Sequence, residues 1–248
     1  MLKAALTVGV LFFATLTSST FGFGGALFSM PLLTLVVGID IAIPLFGLIG
    51  PMTALIVTGT SWRQARIALV WRMLLATLAG IPLGVALVNL LPQTYLVVGL
   101  GVFLIAFGIY RLLRIPFPQV NHPAWAYPFG LLAGVLGGAY NTSGPPVVIY
   151  ANMNRWPPEI FRATLQSYFL PTGVGILVSH GLGGLWTPQV FYLFVLSIPA
   201  VMAAIWLGAI INHRFSPERF NQWVFIILIG LGVLLLAELL SRAGESAG

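Results

Sequence analysis

The chain has 248 residues, 59% of them hydrophobic and only 6% charged, with a mean hydropathy of +1.02; that composition excludes a soluble domain and defines a polytopic membrane protein. Eleven Lys and Arg against five acids give a net charge of +6, but the basic residues are spread between apolar runs, so nucleic-acid binding is not expected. With no cysteine and three scattered histidines, disulfides, thiolate sites, redox centres and metal sites drop out, and no cofactor is expected.

Apolar segments fall near 4–37, 41–60, 69–90, 95–113, 125–152, 160–179, 188–211 and 220–241. Lys3 followed by an apolar run to Ser18, Ser19 and Thr20 resembles a cleaved leader. The run continues, however, through a glycine-rich break at Phe21 to Pro31 (FGFGGALFSMP), which has a counterpart at Leu136 to Pro146 (LGGAYNTSGPP). The first run is therefore read as the first membrane segment.

The same order occurs twice, one broken segment and then three continuous ones. Pro51-Met52-Thr53 echoes Pro171-Thr172-Gly173, and Gly99-Leu100-Gly101-Val102 recurs as Gly230-Leu231-Gly232-Val233. This predicts a first repeat over 1–113 and a second over 125–248, joined by a proline-rich linker at 114–124.

The path of the broken segments can be weighed by charge, since Lys and Arg accumulate on the cytoplasmic side. If each crosses once, Lys3, Arg63, Arg66, Arg72, Arg111, Arg114 and Arg242 lie inside, and Arg155, Arg162, Arg214 and Arg219 outside. If both are re-entrant hairpins, only Lys3 and Arg242 lie outside, which is the better account. Each half then crosses an odd number of times, so the repeats are inverted. The expected fold is an all-α polytopic membrane protein of two inverted repeats, each a re-entrant helical hairpin plus three transmembrane helices.

Such hairpins bring two helix N-termini to the membrane midplane. Ser29 and Ser143 read as their N-caps, each with proline close behind. Unpaired N–H groups and the positive end of the helix dipole favour an anion there. Gly24, Gly25 and Gly144 let the backbone approach a ligand, and Asn141, Thr142 and Ser143 supply side-chain donors. Gln166 and Tyr168 either line the pathway or bond a neighbouring helix. Gly130, Gly134 and Gly138, at four-residue spacing, equally suit close helix packing. Arg162 reads as a positive-inside anchor more than an anion guide, and Tyr140 and Tyr150 are ambiguous between pathway and packing. Trp62, Trp71, Trp125, Trp156, Trp186 and Trp223 lie near segment ends, as interfacial anchors do.

The twofold order, the segment Gly22 to Leu33, and Gly134 to Tyr150 followed by Phe161 to Leu170 resemble the TauE/SafE sulfite exporter family over nearly the whole chain. Ala26 and Leu27 stand where many members extend the glycine run. The resemblance implies export of sulfite, sulfoacetate or a related small organic anion across a bacterial cytoplasmic membrane. The expected partners are that anion and the bilayer, and homo-oligomerisation is left open.

Asp40, Glu159 and Glu218 fall in expected loops and Glu238 near a helix end, so no proton relay is expected within the membrane. Export is then expected to follow the membrane potential. An alternative reading is a rhomboid-like intramembrane serine protease with Ser143 as nucleophile and His180 as base, although His180 lies at the far end of its segment and two prolines after Ser143 suit a cap.

Overall fold

In a membrane every backbone polar group must be satisfied within the segment, so long apolar runs become helices. The computed structural model describes residues 1–21, 24–58, 70–113, 119, 122–156, 158–211 and 217–247. Among them every long element is helical: α1 (Leu2–Phe21), α2 (Gly25–Val37), α3 (Ile39–Thr58), α4 (Trp71–Leu90), α5 (Gln93–Leu112), α6 (Ala126–Tyr140), α7 (Gly144–Met153), α8 (Pro158–Leu182), α9 (Pro188–Ile211) and α10 (Pro217–Ala247). Of the described residues, five stretches are long and apolar enough to span a bilayer: Leu2–Thr20, Ile39–Ile56, Trp71–Leu90, Gln93–Leu112 and Pro188–Gly208. The fold is that of a polytopic helical membrane protein. Arg63, Arg66, Arg114, Arg214, Trp62 and most of the 114–124 linker lie outside the described residues, as do the side chains of Glu159, Arg162, Gln166, Glu218, Arg219, Trp223 and Arg242.

Small residues set the tightest packing. α4 and α6 interlock through Gly80 and Gly84 on one helix and Gly130, Gly134 and Gly138 on the other. A Cβ on Gly80 would lie 3.1 Å from the Cα of Gly134, and one on Gly84 would lie 3.0 Å from the Cα of Gly138. No larger residue fits between the two backbones, and this contact takes up the whole four-residue glycine spacing. Thr77 on α4 ties the pair further, its Oγ1 lying 2.9 Å from the Gly130 carbonyl oxygen and 2.6 Å from the Tyr168 hydroxyl of α8.

The remaining large contacts join α1 to α9, α3 to α8 and α5 to α10. Exchanging the first five helices for the second five, in order, turns the α4–α6 contact into α9–α1 and the α4–α8 contact into α9–α3, and maps α3–α8 and α5–α10 onto themselves. Both sequence echoes meet at these self-paired contacts. A Cβ on Gly173 would lie 3.3 Å from Cγ of Pro51, and one on Gly101 would lie 3.2 Å from the Gly232 carbonyl oxygen.

At both breaks the chain turns back on itself. Gly25, which opens α2, lies against α1, where an added Cβ would be 3.0 Å from the Ala14 carbonyl oxygen and would collide with the Ser18 hydroxyl. In the second break, Phe129 near the start of α6 and Tyr150 near the end of α7 have ring centroids 6.0 Å apart, so α7 runs back along α6.

Candidate functional site

The first break places α2 with Gly24 as its N-cap, at φ 96°. That left-handed conformation favours glycine, and it starts the helix five residues before Ser29, the expected cap (29 − 24). The helix's first bond runs from the Phe28 N–H to the Gly24 carbonyl, at 3.2 Å. The amides of Gly25, Ala26 and Leu27 precede it and have no partner within the helix. Ser29 is a correction: it lies inside α2, fully buried, and its hydroxyl has no partner among the described residues. The helix has already begun at Gly24, with no side-chain cap, and Pro31 is an interior proline.

The second break is built differently. Asn141 closes α6 in the left-handed region, at φ 56°, with its N–H 2.8 Å from the Gly137 carbonyl oxygen. Its side-chain amide donates to the Ile43 carbonyl at 2.8 Å and faces the sulfur of Met30, so it pins the break to α2 and α3. The Thr142 hydroxyl donates to the Tyr140 carbonyl at 2.8 Å. The donors expected from these two side chains are thus committed to the protein. Ser143 is the N-cap of α7 but makes no capping bond. A capping oxygen accepts from the second or third helical N–H, and here those positions are Pro145 and Pro146, which have none. Its hydroxyl is left uncommitted.

Between the breaks lies a cavity of about 130 Å³, lined from α1 by Thr15 and Ser18, from the first break by Gly24, Gly25, Ala26 and Leu27, and from the second by Asn141, Thr142, Ser143, Gly144 and Pro145. Thr53 of α3 and Thr172 of α8 add hydroxyl groups, and Phe46, Phe107 and Phe169 add apolar wall. Among the described residues, none that lines the cavity carries a charged side chain. The Thr53 and Thr172 hydroxyls donate to the carbonyls of Ile49 and Tyr168 one turn back, at 3.1 and 2.9 Å, and so turn only lone pairs to the cavity. What the cavity offers an anion is amide N–H, mostly from α2, and the hydroxyls of Thr15, Ser18 and Ser143. Polar groups of this kind, held in low dielectric, attract negative charge strongly.

Other expected residues fall elsewhere. Gln166 is on α8, and its side chain lies outside the described residues. Tyr168 is fully buried between α8 and α4 and bonds Thr77; Tyr150 packs between Phe129 and Trp156. Tyr140 turns its hydroxyl toward Gly99 of α5. Trp71, Trp125 and Trp186 are exposed near helix ends. Thr15 and Ser18 lie on the helix before the first break and Thr53 and Thr172 on continuous segments, away from the glycine-rich turns that mark a site in the sequence, although Thr53 and Thr172 belong to the first echo.

His180 bears on two expectations. It lies in the last turn of α8, at the far end of its segment as expected, and is fully buried, so a titratable ring sits inside the helical packing. Its Nε2 lies 2.9 Å from the Gly138 carbonyl oxygen, and Nδ1 has no partner among the described residues. A protease needs that ring within reach of the serine oxygen; no hydrogen bond joins His180 to Ser143 among the described residues, and His180 does not line the cavity.

Residues 7–235 match the family described as Sulfite exporter TauE/SafE. A relative from Cupriavidus necator, named "Probable sulfite/organosulfonate exporter TauE", is 26% identical over 179 residues, covering 69% of this chain and 70% of its own. No solved structure matches. The family match takes in both breaks and the helices around the cavity they form, and the chain belongs to the sulfite exporter TauE/SafE family of membrane transporters.

Proposed function

We propose that the protein exports a small sulfur oxyanion, sulfite or a short organosulfonate, binding it in the cavity between the two breaks. The observation that carries this reading is a cavity with two helix N-termini and three uncommitted hydroxyls and, among the described residues, no charged side chain. Such a site attracts an anion without trapping it in an ion pair. The relative's printed name supports the sulfur chemistry.

The halves are proposed to be inverted. Asp40 at the start of α3 accepts a hydrogen bond from Gln93 at the start of α5, and Asn89 at the end of α4 donates to Gly183, just after α8, at 3.1 Å. These four ends share one membrane face, and α2, which leads directly into α3, ends there too. The α6–α7 hairpin opens on the other face, because Gly130 near its start lies beside Met73 at the start of α4. The two hairpins therefore enter from opposite sides.

With no cationic side chain among the described lining residues to neutralise it, a bound anion keeps its charge, and the interior-negative potential drives it outward by about 2.3 kcal/mol per charge per 100 mV. Reconstituted protein is expected to release sulfite when a potential is imposed, and Ser143→Leu, which removes a donor and fills the cavity, is expected to abolish that release while still inserting. Wild-type flux in the variant would overturn the site; flux that follows a pH gradient and ignores the potential would overturn the driving force, with buried His180 the first residue to suspect.

A further inference from the structure

The two ends of the cavity are not equivalent. At the α2 end three successive amides, those of Gly25, Ala26 and Leu27, come before the first helical bond. At the α7 end Pro145 and Pro146 remove two of the corresponding three, leaving Gly144. Phe169 stands against the α7 end, where a Cβ on Gly144 would lie 3.5 Å from its ring, and Val148 and Ile176 line the cavity nearby.

Thr15 stands out at the α2 end. A threonine within a membrane helix ordinarily bonds its hydroxyl to the carbonyl one turn back. Thr7, Thr17 and Thr20 of the same helix do so, reaching Lys3, Phe13 and Leu16 at 2.8 Å each. Thr15 is 3% exposed, lines the cavity, and has no hydrogen-bond partner among the described residues. The Thr15 hydroxyl thus reaches the cavity without the intrahelical bond that the other α1 threonines make, and is free to bond a group held there.

We propose that Thr15 and the α2 amides hold the charged head of the anion, and that its carbon substituent lies toward Phe169 at the α7 end. The site then takes an oriented, amphiphilic oxyanion, a sulfonate with a short alkyl group, ahead of a bare inorganic ion. This rests on the anion-binding reading given above. The orientation follows from the unequal donor count, since a charged head settles where donors are most numerous and an alkyl group where they are missing.

Binding of methanesulfonate and ethanesulfonate to purified protein, followed by titration calorimetry, tests it. The wild type is expected to bind ethanesulfonate about fourfold more tightly, the effect of one buried methylene. Thr15→Val, nearly the same shape, is expected to weaken both by about tenfold and leave their ratio unchanged, as loss of a hydrogen bond to a charged group does. Thr15→Ser should restore binding, and Thr20→Val, whose hydroxyl is spent on its own helix, should change nothing. Phe169→Ala should erase the preference for the ethyl compound. Unfolding temperatures of each variant separate lost binding from lost fold. Equal affinity in the wild type and Thr15→Val overturns the head-group assignment, and a ratio unaffected by Phe169→Ala overturns the orientation. A wild type that binds neither sulfonate nor sulfite overturns the anion reading itself, and this proposal with it.

Discussion

Gly25 and Gly144 occupy matching places at the start of the two returning helices, yet they answer to different constraints. A side chain on Gly25 would meet the Ser18 hydroxyl and the Ala14 carbonyl oxygen, whereas one on Gly144 would make ordinary contact with Phe169. Gly25→Ala is therefore expected to lower stability by about 1–3 kcal/mol, the usual cost of overpacking. Gly144→Ala should stay within about 0.5 kcal/mol of the parent. Unfolding of the two purified variants in a denaturing-detergent series measures the difference, and equal losses would show that the first break is not packed as described. At this scale much of the lining of the candidate site was legible. Gly24, Gly25, Asn141, Thr142, Ser143 and Gly144 all line the cavity. Their chemistry was harder to read, because whether a hydroxyl donates to a ligand or to its own helix depends on side-chain rotation that no residue pattern records. The idle cap of Ser143 is an exception: two prolines at the positions a cap must address are visible in the sequence itself.

Among the helices, boundaries were readable wherever apolar runs end at charged or proline-rich stretches, and misread where two start signals competed. Ser29 followed by Pro31 looks like a cap and first turn, but Gly24 in a left-handed conformation opens α2 first. Backbone conformation overrode side-chain preference, and only the fold around Gly25 reveals why the earlier start is kept. The α4–α6 pair is the clearest case of small-residue spacing dictating contact. Gly134→Val places two methyl groups against the Thr77 carbonyl and the backbone of Gly80. It is expected to cost more than about 3 kcal/mol, since neither helix can withdraw without opening the whole glycine seam. Loss of monodisperse protein, or a sharply lower unfolding temperature, is the expected readout; a stable Gly134→Val protein would contradict the close approach of these helices.

For the molecule as a whole, the twofold order of segments could be read from the chain, while the meeting of the echoes could not. That Pro51 touches Gly173 of the other copy of its echo, and Gly101 touches its own counterpart Gly232, is a property of three-dimensional closure: two copies of one echo meet only beside a symmetry axis. The proposed inversion makes a topological prediction that the natural absence of cysteine renders easy to test. Arg155, just after α7, and Thr187, just before α9, are both exposed and lie at opposite ends of α8. In intact cells a membrane-impermeant thiol reagent is expected to label Thr187→Cys and to reach Arg155→Cys only after permeabilisation. Labelling of both from outside would end the re-entrant topology for the second half.

The uncharged lining that the described residues give the cavity reaches beyond affinity. A pocket that holds ions with amides and hydroxyls alone has no counter-charge for salt to screen, so its grip should change little with ionic strength. Rank among competing ions then falls to how readily each sheds its water: singly charged sulfonates and hydrogensulfite enter ahead of strongly hydrated dianions such as sulfate.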